Sequence, residues 1–170
     1  IRLVEILNRY NLKATFNLNS ELLGKDGSLD ILGKRILHNK IQPHEITEVY
    51  KCHEIAAHTL THPDMTEMPA DEVIRQVEQD RLNLSELSGT EVIGMAYPGR
   101  QPNYNSRIAR IIKNGTGVKY ARTTICNKDF SYQNDLYEFH PSVFHRDWDQ
   151  LYKLAEKFVE LDPKSEKIFY

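Results

Sequence analysis

The chain is poor in cysteine, with Cys52 and Cys126 alone among its 170 residues. Two are too few for a disulfide scaffold, and both are expected to be buried as small apolar side chains, with a bridge between them left open. It has no surplus of charge. Its 22 basic and 24 acidic side chains leave a formal net charge of -2, which gives no electrostatic case for a nucleic-acid partner or an anionic membrane surface. It also lacks any apolar run of the roughly 20 residues a membrane span needs. No internal repeat, low-complexity tract or interdomain linker is present. No signal peptide is in view, but the sequence starts with Ile1 rather than Met, so location is not readable.

What remains is ordinary for a soluble globular protein, at 40% hydrophobic and 27% charged residues. The length fits one domain, residues 1–170, able to bury a core. Ile1 to Tyr10 has helical apolar spacing. Lys13 to Leu18 reads as a short strand. A polar turn then leads to a helix expected around Leu32 to Leu37, and Pro43 to Tyr50 reads as another short helix. An apolar strand ends at Ala57. Pro69 to Leu87 is the clearest helix, with Val73, Ile74, Val77, Leu84 and Leu87 near one face and Asp71 and Glu72 at its start. Its charged residues between Glu72 and Arg81 are expected to form a solvated face. Strands are expected over Glu91–Tyr97, within Val118–Ile125, over Leu136–His140 and from Lys167. Helices are expected over Asn103–Lys113 and Asp147–Leu161. This alternation argues for a mainly parallel α/β sheet, open or closed as a barrel.

The chemistry concentrates in His58-Thr59-Leu60-Thr61-His62, directly after Ile55-Ala56-Ala57. Neutral imidazole nitrogen is a good ligand for zinc and related divalent metals, and two histidines at this spacing can share one ion. Thr59 and Thr61 can bond locally and hold a tight turn. Pro63-Asp64 closes the segment. A strand end followed by candidate ligands and a turn is where α/β proteins usually place active sites.

Three segments together resemble the polysaccharide deacetylases, the NodB-homology group called carbohydrate esterase family 4. They are Lys13-Ala14-Thr15-Phe16-Asn17, Glu54 through His62, and Ala96-Tyr97-Pro98-Gly99. The second matches the family's His-Ser/Thr-x-x-His metal motif. The resemblance implies a distorted (β/α) barrel, with first and last strands missing or incomplete in this chain. It implies a divalent metal, most commonly zinc, with His58 and His62 among its ligands. The activity it implies is hydrolytic removal of acetyl groups from an N-acetylated carbohydrate. Gly99 takes the position whose N–H would face the oxyanion. The family's Asp-Asp motif, which includes the general base, is expected before Ile1, and its last histidine motif after Tyr170. The chain alone is therefore expected to be nearly inactive.

Ala96 departs from the family, which often has arginine there. Arg100 either supplies a comparable charge from the loop or is a solvated surface arginine. Further on, His140 to Trp148 forms a dense polar cluster expected on the same rim. His145 is the better candidate of its two histidines to face the site. Trp148 could stack on a sugar, or pack the start of its helix while Asp147 caps it. Tyr97 is placed to touch a substrate. Asp64 serves as a ligand or makes the local turn. Two rival functions stand beside the deacetylase: a non-catalytic carbohydrate-binding protein of the same fold, and a metal-dependent hydrolase of small amides or cyclic imides.

Overall fold

The computed structural model describes residues 2–99, 102–144 and 146–170. Its centre is a parallel four-stranded sheet in the order β1-β4-β5-β6, built from β1 (Thr15–Leu18), β4 (Glu54–Ala57), β5 (Gly94–Ala96) and β6 (Tyr120–Arg122). A single parallel bridge from Arg122 to Phe139 continues it. Helices α1 (Arg2–Arg9), α2 (Ile46–Val49), α3 (Ala70–Ser88), α4 (Ser106–Gly115) and α5 (Trp148–Val159) alternate with the strands. The result is the expected α/β fold, an arc of a distorted barrel.

The register sorts side chains to two faces. Leu18, Ala57, Met95 and Ala121 pack toward the helices, where Val73, Val77 and Leu84 of α3 meet Ile108 and Ile112 of α4. Alternation sends Asn17, Ala56, Ala96 and Arg122 to the opposite, inner face. Gly94 lies in that inner row because the Tyr120 ring occupies the space a Cβ would need. Helix α3 ends at Gly89, which adopts the left-handed conformation (φ 70°) and donates its N–H to Ser85 O at 3.0 Å.

Several expected elements differ. The helix expected around Leu32 to Leu37 is an antiparallel hairpin, β2 (Ser28–Ile31) with β3 (Lys34–Leu37). Its two-residue loop, Leu32-Gly33, has positive φ at both positions (53° and 74°), the type I′ geometry whose twist suits a hairpin. Asp30 Oδ1 accepts the Gly33 N–H at 3.0 Å. The strand expected at Leu136 to His140 is a short 3-10 turn over Leu136–Glu138, because the Asp135 side chain caps it at the Tyr137 N–H. From Lys167, among the described residues, a single antiparallel bridge forms, to Ser131. Cys52 is exposed and both cysteines are free thiols, so neither the expected burial of Cys52 nor a bridge is found.

Candidate metal centre

His58 follows the last residue of β4. Its backbone N–H donates to Asp80 Oδ2 on α3 at 2.9 Å, and its ring Nδ1 lies 2.9 Å from Ala96 O at the end of β5. A carbonyl oxygen only accepts, so Nδ1 carries the proton and the Nε2 lone pair is left free. An orienting bond of this kind on the far ring nitrogen fixes tautomer and direction in metal-binding histidines. Burial pushes the His58 imidazole down to about 4, despite the opposing bond to Ala96. The ring is therefore neutral at pH 7 and able to act as a ligand.

The His62 ring is exposed and stands 4.8 Å from the His58 ring, centroid to centroid, at 70°. Two imidazoles on one tetrahedral ion, each at about 2.1 Å, would have centroids roughly 5 Å apart. The pair thus fits two positions of such a site. Among the described residues no cluster of three or more His, Cys, Asp or Glu completes it.

The turn between the rings is strained. Thr59 and His62 both have positive φ, 68° and 63°. For a β-branched residue that conformation is a genuine outlier, and such strain costs about 1–3 kcal/mol per residue. It persists because the turn is held from several sides. Asn19 Nδ2 donates to His58 O at 2.6 Å and Thr59 O at 2.8 Å. Thr59 Oγ1 accepts the His62 N–H at 3.1 Å. Gln76 accepts the Leu60 N–H through its backbone O at 3.0 Å and the Thr61 N–H through Oε1 at 3.3 Å.

Gln76 and Asp80, one turn apart on α3, are therefore the clamp of this motif, and sequence reasoning missed them. The expected solvated face is wrong at Asp80 and Arg81, which are buried, as is the uncharged Gln76. The signal was their place in the apolar stripe of Val73, Val77 and Leu84. Arg81 is satisfied by Glu78 at 2.7 Å and Val92 O at 3.3 Å.

Asp80 also accepts the Ser20 N–H at 2.6 Å. Burial pushes its carboxyl up to about 6, outweighing the two backbone donors that favour the charged form. Between about pH 4 and 6 the folded state holds a proton that the unfolded chain has lost. The associated stability is full below the unfolded value and is lost as pH rises through 6. His58 works in the opposite sense, its contribution lost as pH falls toward 4. Asp80→Asn removes only the first effect. The unfolding free energy of the wild type minus that of the variant should fall by on the order of 2–3 kcal/mol from pH 4 to pH 7. Urea denaturation across that range measures it; a flat difference would contradict the burial argument.

The other expected site residues separate. Gly99 has φ 89° and stands in open space, with Asn103 Cβ 4.0 Å from where its Cβ would be. Tyr97 is 2% exposed, donates its hydroxyl to Tyr137 O at 2.8 Å and stacks on Tyr104 at 4.8 Å, so its ring belongs to the core. Trp148 is the first residue of α5, exposed and stacked on Tyr152 at 6.4 Å, while Asp147 caps the helix at the Gln150 N–H. Among the described residues the Trp148 ring meets Tyr152 and not the histidine pair. Asp64 Oδ1 accepts from Thr66 N at 2.9 Å and Oγ1 at 2.7 Å, making the local turn. His140 bonds Thr123 Oγ1 at 2.7 Å. Arg100 and His145 lie outside the described residues. A surface recess between α3 and α4, lined by Ile74, Arg107 and Ile111 among others, contains none of these residues.

The sequence profile described as Polysaccharide deacetylase matches residues 2–121. The chain belongs to the polysaccharide deacetylase family. Among curated proteins none matches it. Similar solved structures include the Streptococcus pyogenes deacetylase PplD in complex with acetate, at 22% identity and TM-score 0.63, covering 81% of this chain and 55% of that one. IcaB from Ammonifex degensii is similar at 13% identity and TM-score 0.65, covering 91% of this chain and 66% of that one. A CE4-family pseudoenzyme from Bacillus anthracis is similar at 19% identity and TM-score 0.50, covering 71% and 36%. These likenesses are of fold. The chain spans about half to two thirds of the length of PplD and IcaB.

Proposed function

We propose that this polysaccharide deacetylase-family chain forms part of a metal-dependent hydrolase that removes acetyl groups from N-acetylated carbohydrate, with His58 and His62 as two of the metal's ligands. The observation that carries the reading is the Nδ1–H bond from His58 to Ala96 O, which frees Nε2 beside a second imidazole. A divalent ion held by these imidazole donors, which suit zinc, would supply Lewis acidity toward an acyl carbonyl.

The chain's own residues have separable tasks. The Ala96 carbonyl orients His58. Asn19, Gln76 and Asp80 hold the strained turn that brings His62 beside it. The Gly99 N–H makes no hydrogen bond among the described residues and is the donor assigned to the developing oxyanion. Its positive φ suits glycine and resists any side chain.

Metal removal tests the reading. The whole protein, dialysed against a strong chelator, should lose at least about 90% of its release of acetate from an N-acetylated oligosaccharide, and zinc should restore it. Full turnover after chelation, with no metal left by atomic absorption, would refute it. A protein that binds the oligosaccharide with and without metal yet never releases acetate would favour the non-catalytic carbohydrate-binding reading. That alternative has a specific motive in the fold shared with a pseudoenzyme.

A further inference from the structure

The parallel registers pair Leu18 with Ala57, Ala57 with Met95, and Ala96 with Arg122. Extending them by one residue beyond β1 and β4 aligns Asn19, His58, Ala96 and Arg122 in one row on the inner face. Neighbouring strands are about 4.8 Å apart, so the Arg122 backbone stands roughly 10 Å from that of His58. Its side chain is half-buried on the same face. Among the described residues its side chain donates one hydrogen bond, to Thr123 O at 3.1 Å.

The other end of the row opens into a cleft of 240 Å³, lined by Asn17, Asn19, His38, Lys40 and Tyr50 among others. Lys40 is half-buried there, with its Nζ 3.1 Å from the His38 ring. Neither Lys40 nor Arg122 makes an ion pair among the described residues. Asp80 does not serve them, because its oxygens are taken by the backbone of Ser20 and His58. Both cations act electrostatically on His58. Two half-buried cations without counterions among the described residues, in a chain whose net charge is -2, are an unusual local arrangement.

We propose that Lys40 and Arg122, placed on either side of the histidine pair, select an anionic carbohydrate, one whose sugars next to the reacting N-acetyl group carry a carboxylate or phosphate. A half-buried ammonium or guanidinium gains more from an ionised oxygen than from a neutral hydroxyl. A polymer crossing the row from the β1 cleft to β6 meets Lys40 before the histidines and Arg122 after them. This rests on the deacetylase reading and narrows its substrate.

The test compares the whole protein on three probes: an N-acetylglucosamine tetramer, an analogue with hexuronic acid at alternating sugars, and an analogue carrying a phosphodiester. Wild type should show a higher kcat/KM on at least one anionic probe than on the neutral tetramer, and the preference should shrink with salt. Lys40→Met and Arg122→Met should each reduce that preference about tenfold, mainly through KM. Lys40→Arg and Arg122→Lys should recover part of it. Equal loss on neutral and anionic probes would overturn the proposal, since the cations would then serve carboxylates of the polypeptide itself. An unchanged preference in both variants would overturn it too. His58→Ala keeps the two ideas apart. If it leaves turnover of every probe intact, the deacetylase reading fails; if it removes turnover while Lys40→Met and Arg122→Met change nothing, only the substrate class fails.

Discussion

Replacing His58 by alanine in the whole protein is expected to lower deacetylation by more than about a hundredfold. Loss of an outer-shell partner of a metal ligand already costs 10–100-fold, and His58 is assigned to the ligand shell itself. The fold should survive, because what the variant loses besides the metal is one bond to Ala96 O, about 1 kcal/mol, and the ring's edge contact with His62. His62 should behave alike in activity but differently in stability. Its ring is exposed, yet its backbone sits at φ 63°. Alanine there retains the strain, whereas asparagine tolerates the left-handed region. His62→Asn should therefore lose activity while melting no lower than His62→Ala. Zinc content by mass spectrometry, read beside thermal unfolding, checks both. Wild-type metal stoichiometry in either variant would end the assignment.

Much of this arrangement was readable before any coordinates. The long apolar stripe of α3 and the apolar run into His58 obey simple periodicities, and tertiary packing uses both as local preference suggests. The hairpin was hidden because Leu32, which is 97% exposed, occupies a turn position that usually advertises itself with asparagine or glycine. Gly33 was half a signal. Gln76 and Asp80 were hidden for a different reason. A polar residue in a helix reads as solvated until something across the interface needs its oxygen, and the donors at Ser20, His58 and Thr61 belong to other elements. Arg122 could not be paired with the site from sequence at all. Its place beside Ala96 is a property of strand register, which exists only once β5 and β6 lie together. Tyr97 shows the limit of position in a motif: a residue adjacent to the site can be turned wholly inward.

The 170 residues by themselves are expected to hold zinc weakly and to release acetate at under about 1% of the rate of the whole protein. The argument is a count of donors and their engagements. Catalytic zinc sites use three protein ligands, and the described residues offer two imidazoles without a third partner. Among the described residues the two aspartates nearest the histidine turn are already engaged. Asp80 faces the helix side, bound to two backbone donors, and Asp64 is committed to Thr66. A general acid and a general base are each worth roughly 10²–10⁴-fold, so losing either is enough. Calorimetric zinc titration and an acetate-release assay, run on the 170-residue chain and the whole protein together, measure both quantities. Tight equimolar zinc binding by the shorter chain would mean that one of its own side chains moves to complete the site. Asp64, exposed and two residues past His62, would be the first to replace, since a carboxylate freed from its turn is the donor such a site needs.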